Sequence, residues 1–149
     1  MSTPSLSHTY FASTLVAGDA LTEATNGGYA VLSQTITITS ATTGSSFSGT
    51  ATLPAGAQIL NFQVDVLTAP SGTVASSPIT IGTAAAGTQY LSSTAAFSGG
   101  RLSLSFTAAQ VTAMSNIGTN TSVVATVTPN ANPTTTQGVW QVTIVYSMK

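Results

Sequence analysis

The chain has 149 residues, of which only 3% are charged, and its formal net charge is −1. Two basic residues cannot form a phosphate-binding face, so nucleic acid is excluded as a direct ligand. One histidine, three acidic residues and no cysteine are too few for a structural zinc site or a disulfide framework, and no metal or cofactor is expected.

Serine and threonine make up about a third of the chain, yet 42% of the residues are hydrophobic. Disordered chains combine low hydrophobicity with high net charge, so this composition predicts a folded protein. A membrane-spanning helix needs about 20 consecutive apolar residues, and every apolar run in this sequence is much shorter, so no membrane partner is expected.

The first 28 residues are polar with irregularly spaced apolar residues, and they end in Asn26-Gly27-Gly28. Glycine adopts positive φ at low cost, so this tripeptide predicts a joint. We interpret residues 1–28 as an N-terminal docking arm and residues 29–149 as a β-sandwich domain. Segments that order on a partner often bind through aromatic anchors. The candidate docking residues of the arm are Tyr10, Phe11, Leu15 and Val16.

From residue 30 onward polar and apolar residues alternate, which is typical of half-buried β-strands. Strands are predicted at residues 30–39, 47–53, 58–67, 78–82, 89–91, 99–106, 121–128 and 138–147, with a short helix at 107–115. The side chains predicted to face inward include Leu32, Ile36, Ile38, Leu60, Phe62, Val64, Val66, Trp140, Val142, Ile144 and Tyr146. This pattern predicts an all-β antiparallel sandwich or barrel of about eight strands. It leaves jelly-roll and immunoglobulin-like strand orders open.

The residues offer little for catalysis. Asp19 and Glu23 are four residues apart and could share a helical face like the paired carboxylates of a glycosidase, but we interpret them as solvated acids of the arm. His8 is the only imidazole and also lies in the arm, so no serine triad is expected. The chain is predicted not to be an enzyme. Interface cores are depleted of charge, so the neutral surface favours a subunit packed in an assembly over a free, hydroxyl-rich extracellular domain.

Several short motifs follow one another between about residue 34 and residue 146. They are Leu53-Pro54-Ala55-Gly56-Ala57-Gln58-Ile59, Phe62-Gln63-Val64-Asp65-Val66, Ile79-Thr80-Ile81-Gly82-Thr83, Val124-Ala125-Thr126-Val127-Thr128-Pro129 and Val142-Thr143-Ile144-Val145-Tyr146. In this order they resemble small β-sandwich virion structural proteins of tailed bacteriophages, of the head-decoration or head-fibre type. The resemblance implies a jelly-roll-like sandwich without catalytic residues.

The same resemblance implies the partners and the location. A homo-oligomer, most often a trimer, would attach to a major capsid protein or another virion protein on the capsid exterior. The location would be the virion, assembled in the cytoplasm of the bacterial host. The alternative function is a carbohydrate- or receptor-binding tip domain of a phage or bacterial surface fibre, with an extracellular location.

Folding is predicted to need neither metal nor reductant. We expect the thermal unfolding curve to be the same with and without a chelator or a thiol reductant. The composition offers no set of metal ligands for the chelator to compete with and no cysteine for the reductant to act on. A shift of several degrees with chelator alone would reveal a calcium site built from oxygen ligands.

Overall fold

The computed structural model describes residues 30–40, 46–70, 76–115, 118–129 and 138–148. In these ranges the chain forms eight strands and one helix. They are β1 (Ala30–Thr39), β2 (Phe47–Leu53), β3 (Gln58–Thr68), β4 (Pro78–Gly82), β5 (Leu91–Ala95), β6 (Gly100–Arg101), α1 (Ala108–Met114), β7 (Thr121–Val127) and β8 (Val139–Met148). The predicted arm, residues 1–28, lies outside the described residues, so its boundary with the sandwich stays a prediction.

The strands form two antiparallel sheets with a jelly-roll order. Sheet A has the order β1-β8-β3-β6 and sheet B the order β2-β7-β4-β5. The first strand pairs with the last, β2 with β7, β3 with β6 and β4 with β5, as in one long antiparallel ribbon. Wrapping that ribbon brings β8 beside β3 and β7 beside β4. An immunoglobulin-like sandwich pairs its first two strands in one sheet, whereas here β1 and β2 lie in different sheets.

The core lies between the two sheets and is built from alternate residues of their strands. In β8 the inward side chains are Trp140, Val142, Ile144 and Tyr146, all buried as the alternation predicts. Sheet B contributes the fully buried Ile79, Ile81, Val123 and Val127. The prediction of an all-β sandwich is confirmed.

The short helix α1 begins at a reciprocal cap. The Thr107 hydroxyl accepts a hydrogen bond from the backbone N–H of Gln110 at 3.3 Å, and the Gln110 side chain accepts one from the Thr107 N–H at 2.8 Å. This reciprocal pair is a capping box, which satisfies backbone donors at a helix start. The helix prediction is therefore confirmed.

Two strand predictions are wrong in extent. The strand predicted at 89–91 begins at Leu91, because the side chain of Gln89 turns back to accept a hydrogen bond from the Thr83 N–H, 3.2 Å away. The strand predicted at 99–106 is limited to β6. Beyond it the Leu102 N–H donates to the Val64 carbonyl, 2.9 Å away, and the chain then leaves the sheet toward α1.

Two residues predicted to face inward are exposed. Leu60 is 48% exposed because a β-bulge in β3 shifts the register between Ile59 and Asn61, so Ile59 is buried in its place. Leu32 is 44% exposed although it has the inward phase of its strand. Gln34, two residues further along, already reaches Thr52 near the end of β2, so Leu32 lies beyond the cover of sheet B.

Trp140 is accommodated by a missing side chain at Gly138. The indole is fully buried, and a Cβ placed on Gly138 would lie 2.8 Å from its Cζ2 and Cζ3 atoms. The Gly138 backbone also bonds Ser40, whose hydroxyl accepts from the Gly138 N–H at 2.9 Å. The packing of the indole against Gly138 and the hydrogen bond to Ser40 together fix the start of β8.

Gly138→Ala is expected to destabilise the protein by about 1–3 kcal/mol, because the rigid indole has no room to retreat. Urea unfolding measures the change. The matched control is Gly118→Ala, where an added Cβ meets no atom within 4 Å and the expected change is within about 0.5 kcal/mol. Equal losses in the two variants would contradict the steric explanation.

Candidate interaction surface

The docking residues predicted from the sequence, Tyr10, Phe11, Leu15 and Val16, lie outside the described residues. The structure therefore brings none of them to a site. What it does describe is the surface of the sandwich itself, with its charges, hydroxyls, aromatic rings and sheet edges.

Two charged residues lie in the described ranges, and they bond to each other. Arg101 of β6 donates from Nε to Oδ1 of Asp65 at 2.7 Å and from Nη2 to Oδ2 at 2.9 Å. This fork geometry matches a guanidinium to a carboxylate. The hydrogen bonds from Arg101 hold the pKa of Asp65 below its ordinary value, and Asp65 in turn raises the pKa of Arg101. The described surface consequently has no uncompensated charge.

The best-buried polar side chain of the helix has a structural task. Gln110 is 5% exposed, and its Nε2 donates to the Ser92 hydroxyl at 2.9 Å and to the Thr88 carbonyl at 3.3 Å. With the bond from the Thr107 N–H to its oxygen, the amide has partners on both of its atoms. Gln110 thus attaches α1 to β5 and offers no free group to a ligand.

A second buried polar side chain, the hydroxyl of Thr126, supports a turn. Thr126 of β7 is 1% exposed; its Oγ1 accepts from the Ala86 N–H at 3.0 Å and shares a hydrogen bond with the Ser48 hydroxyl at 2.8 Å. Ala86 has φ of 58°, which an L-residue rarely adopts. Thr126 therefore holds a strained turn against sheet B.

Within the described ranges, no group of three His, Cys, Asp or Glu residues is placed to hold a metal ion.

Most aromatic rings of the described residues are buried, and Phe47, Phe97 and Phe106 are half-buried. Trp140, Phe62, Tyr90 and Tyr146 are at most 5% exposed. Phe62 lies 5.8 Å from Tyr90 and 6.4 Å from Phe106 between ring centroids, and burial raises the pKa of Tyr90. Tyr90 belongs to the core. Among the residues described here, no large aromatic side chain forms an exposed platform.

One side of the sandwich, which we call the closed side, is formed by β5, β6 and residues 102–115. Its edges are short: β5 has five residues and β6 has two. Residues 102–115 cross from one sheet to the other, since Leu102 bonds Val64 of β3 while Gln110 bonds Ser92 of β5. The pair between Arg101 and Asp65 lies at the same side. Short strands, charges and covering segments are the devices that protect a sheet edge from pairing.

The opposite side, which we call the open side, is formed by β1 and β2. Within the described residues neither strand has a strand partner at its outer edge. The ten residues of β1 and the seven of β2 contain no charge and no proline. The Gln34 Nε2 donates to the Thr52 carbonyl at 3.1 Å, and a Cβ on Gly49 would collide with Ile36, so the two strands are closely packed. At the start of β1, Val31 is 62% exposed.

No helix in the described part of the chain has the length and hydrophobicity of a membrane span. Comparisons with protein-family models, with curated proteins and with solved structures give no match to this chain. The open side is therefore a candidate interaction surface on the basis of its residues and their geometry alone. The lack of charge was readable from the sequence, but the edge positions of β1 and β2 were not, because they depend on the strand order.

Acid is expected to weaken the pair between Asp65 and Arg101. Because the folded pKa of Asp65 lies below its unfolded value of 3.8, its contribution to stability is present above that pH and is lost as the pH falls through the folded pKa. Asp65→Asn should lower the unfolding midpoint modestly between about pH 5 and 8, since an exposed ion pair contributes little, and should converge on the parent as the pH falls through the folded pKa of Asp65.

Urea unfolding at a series of pH values measures the difference between parent and variant. Arg101→Gln, which removes the other partner, serves as the control and should converge on the parent in the same acid range. A difference for Asp65→Asn that persists at low pH would show that the residue acts through packing instead.

Proposed function

We propose that this chain is a non-enzymatic structural protein of a bacteriophage virion, attached to the capsid exterior and self-associating there. The observation that carries the proposal is the described surface, whose two charges neutralise each other while two long uncharged edge strands stand uncovered. Interface cores are depleted of charge, and soluble domains without partners normally have many charged surface residues.

The fold is compatible with this proposal and does not decide it. Jelly rolls occur in viral capsid proteins, lectins and cupins, so the architecture alone is an analogy. The buried side-chain amide of Gln110 and the buried hydroxyl of Thr126 both form structural hydrogen bonds. That engagement supports a structural role over an enzymatic one.

A carbohydrate-binding tip is the second candidate, and the burial of the aromatic rings counts against it. Sugars commonly stack on exposed aromatic faces, whereas Phe62, Tyr90 and Trp140 are buried in the core. A glycan-binding assay on the full chain separates the two candidates. Binding of a defined glycan, together with absence from particles, would favour the tip domain.

The experiment for the leading proposal is recovery with particles. The full chain, carrying a small tag, is expressed during infection of a host whose phage encodes it, and particles are purified by density gradient. We expect the tagged chain to sediment with intact particles and to be accessible to antibody on the capsid exterior. Its absence from particles that contain all other head proteins would overturn the proposal.

The docking arm makes a separate prediction. Tyr10→Ala with Phe11→Ala should strongly reduce recovery with particles, because burying both aromatic side chains supplies roughly 3–5 kcal/mol before ordering costs. The melting temperature of the variant should equal that of the parent. Ser13→Ala with Thr14→Ala is the matched control in the same segment and should bind normally. A lowered melting temperature would instead assign Tyr10 and Phe11 to the core.

A further inference from the structure

We propose that a second copy of this chain adds to the open side, with β1 of one copy pairing antiparallel to β1 of the other, so that sheet A continues across both. The proposal goes beyond attachment to a particle, because it concerns the isolated protein, and it names a twofold pair where the resemblance implies a trimer. It follows from the contrast between the two sides of the sandwich and from the composition of β1.

The closed side shows how this chain protects an edge. There the outer strand of sheet A is only two residues long, and its arginine is held over the neighbouring strand by Asp65. The outer strand of sheet B is attached to α1 through Gln110. The short strand, the charged pair and the helix each oppose pairing with a further strand at this side. Within the part of the chain that the structure describes, none of these devices protects β1.

The β1 strand presents the longest uncovered backbone edge of the described chain. Its ten residues, Ala-Val-Leu-Ser-Gln-Thr-Ile-Thr-Ile-Thr, include no charge, proline or glycine, and its outward Thr35, Thr37 and Thr39 are exposed. An uncovered edge of this kind is a template for another strand. By comparison, β2 is shorter and includes Gly49, which weakens a strand for pairing.

The occupant that best fits this edge is an identical strand. Pairing about a twofold axis requires one uncovered edge per copy and brings the same surface together from both copies. Threonine opposite threonine is a favourable cross-strand pair, and no like charges meet. The exposed side chains of Val31 and Leu32 add apolar surface at one end of the same edge. Since no charge takes part, the association should be insensitive to salt.

The test uses the full chain in sedimentation equilibrium, with two opposite charge variants of β1. Thr35→Lys with Thr37→Lys, and Thr35→Glu with Thr37→Glu, should each weaken dimerisation by about ten-fold or more, because like charges meet across the pair. An equimolar mixture of the two variants should restore association, and this restored association should weaken as salt is raised. Thr35 and Thr37 are exposed, so both variants should keep the parent melting temperature.

The matched control places the same charges on the closed side. Ser93→Lys with Ser103→Lys alters two exposed residues near the opposite edges and should leave dimerisation unchanged. An equal loss in this control would mean that net charge, not β1, governs association, and would overturn the proposal. A monomeric parent at about 50 µM, a trimeric mass, or failure of the mixture to associate would each overturn it too.

Hydrogen exchange identifies the occupant of the edge. The informative amides of β1 are those that point away from β8, and protection of these amides that rises with protein concentration supports a second copy. Protection that is already complete in dilute, monomeric protein would mean that another part of the same chain covers the edge, and this would overturn the proposal. The outcome is independent of the particle experiment: dimerisation through β1 without recovery on particles would leave this inference standing and remove the proposed function.

Discussion

The rest of the structure depends on one contact between the two sheets, which the indole of Trp140 makes. Trp140 lies on β8 in sheet A, and its Nε1 donates a 2.7 Å hydrogen bond to the carbonyl of Ala96, which follows β5 of sheet B. Burying a side chain of this size contributes about 4–6 kcal/mol, and the hydrogen bond spares the indole N–H an unpaired position in the core. The bare Cα of Gly138 leaves the space that this arrangement requires, and the Ser40 hydroxyl accepts a hydrogen bond from the Gly138 N–H.

The asymmetry of the surface follows from how the ribbon is connected. The link from β6 to β7 contains residues 102–115 and packs Leu102, Leu104 and Phe106 against the core, so it covers the side of the sandwich that it crosses. On the other side β1 and β2 follow each other in the sequence but belong to different sheets. Their described residues include no covering element comparable to α1. Among the described residues, a protected edge and an uncovered edge therefore arise from the same wrapping of one ribbon.

Alternation in the sequence predicted most strands, because a period of two is a local property that burial on one face imposes. It placed the ends of β1, β2 and β4 and the inward residues of β8 correctly. It misjudged Leu60, since a bulge adds one residue without any change in the local pattern. It misjudged Leu32, because exposure there depends on where the opposite sheet ends. The jelly-roll order itself rests on pairs such as Ala30 with Met148, which no local pattern can specify.

The same limit explains why the interaction surface needed the structure. The sequence showed that charges are rare, but rarity alone does not say which surface is free of them. Strand order places Asp65 and Arg101 together at one edge, and that placement leaves β1 without a charge to oppose an incoming strand. Threonine suits such a strand, because its branched side chain favours the extended backbone while its hydroxyl keeps the exposed face hydrated. An edge of this composition tolerates water and carries no charge that would repel an identical strand, which is the combination that the proposed pairing of two copies requires.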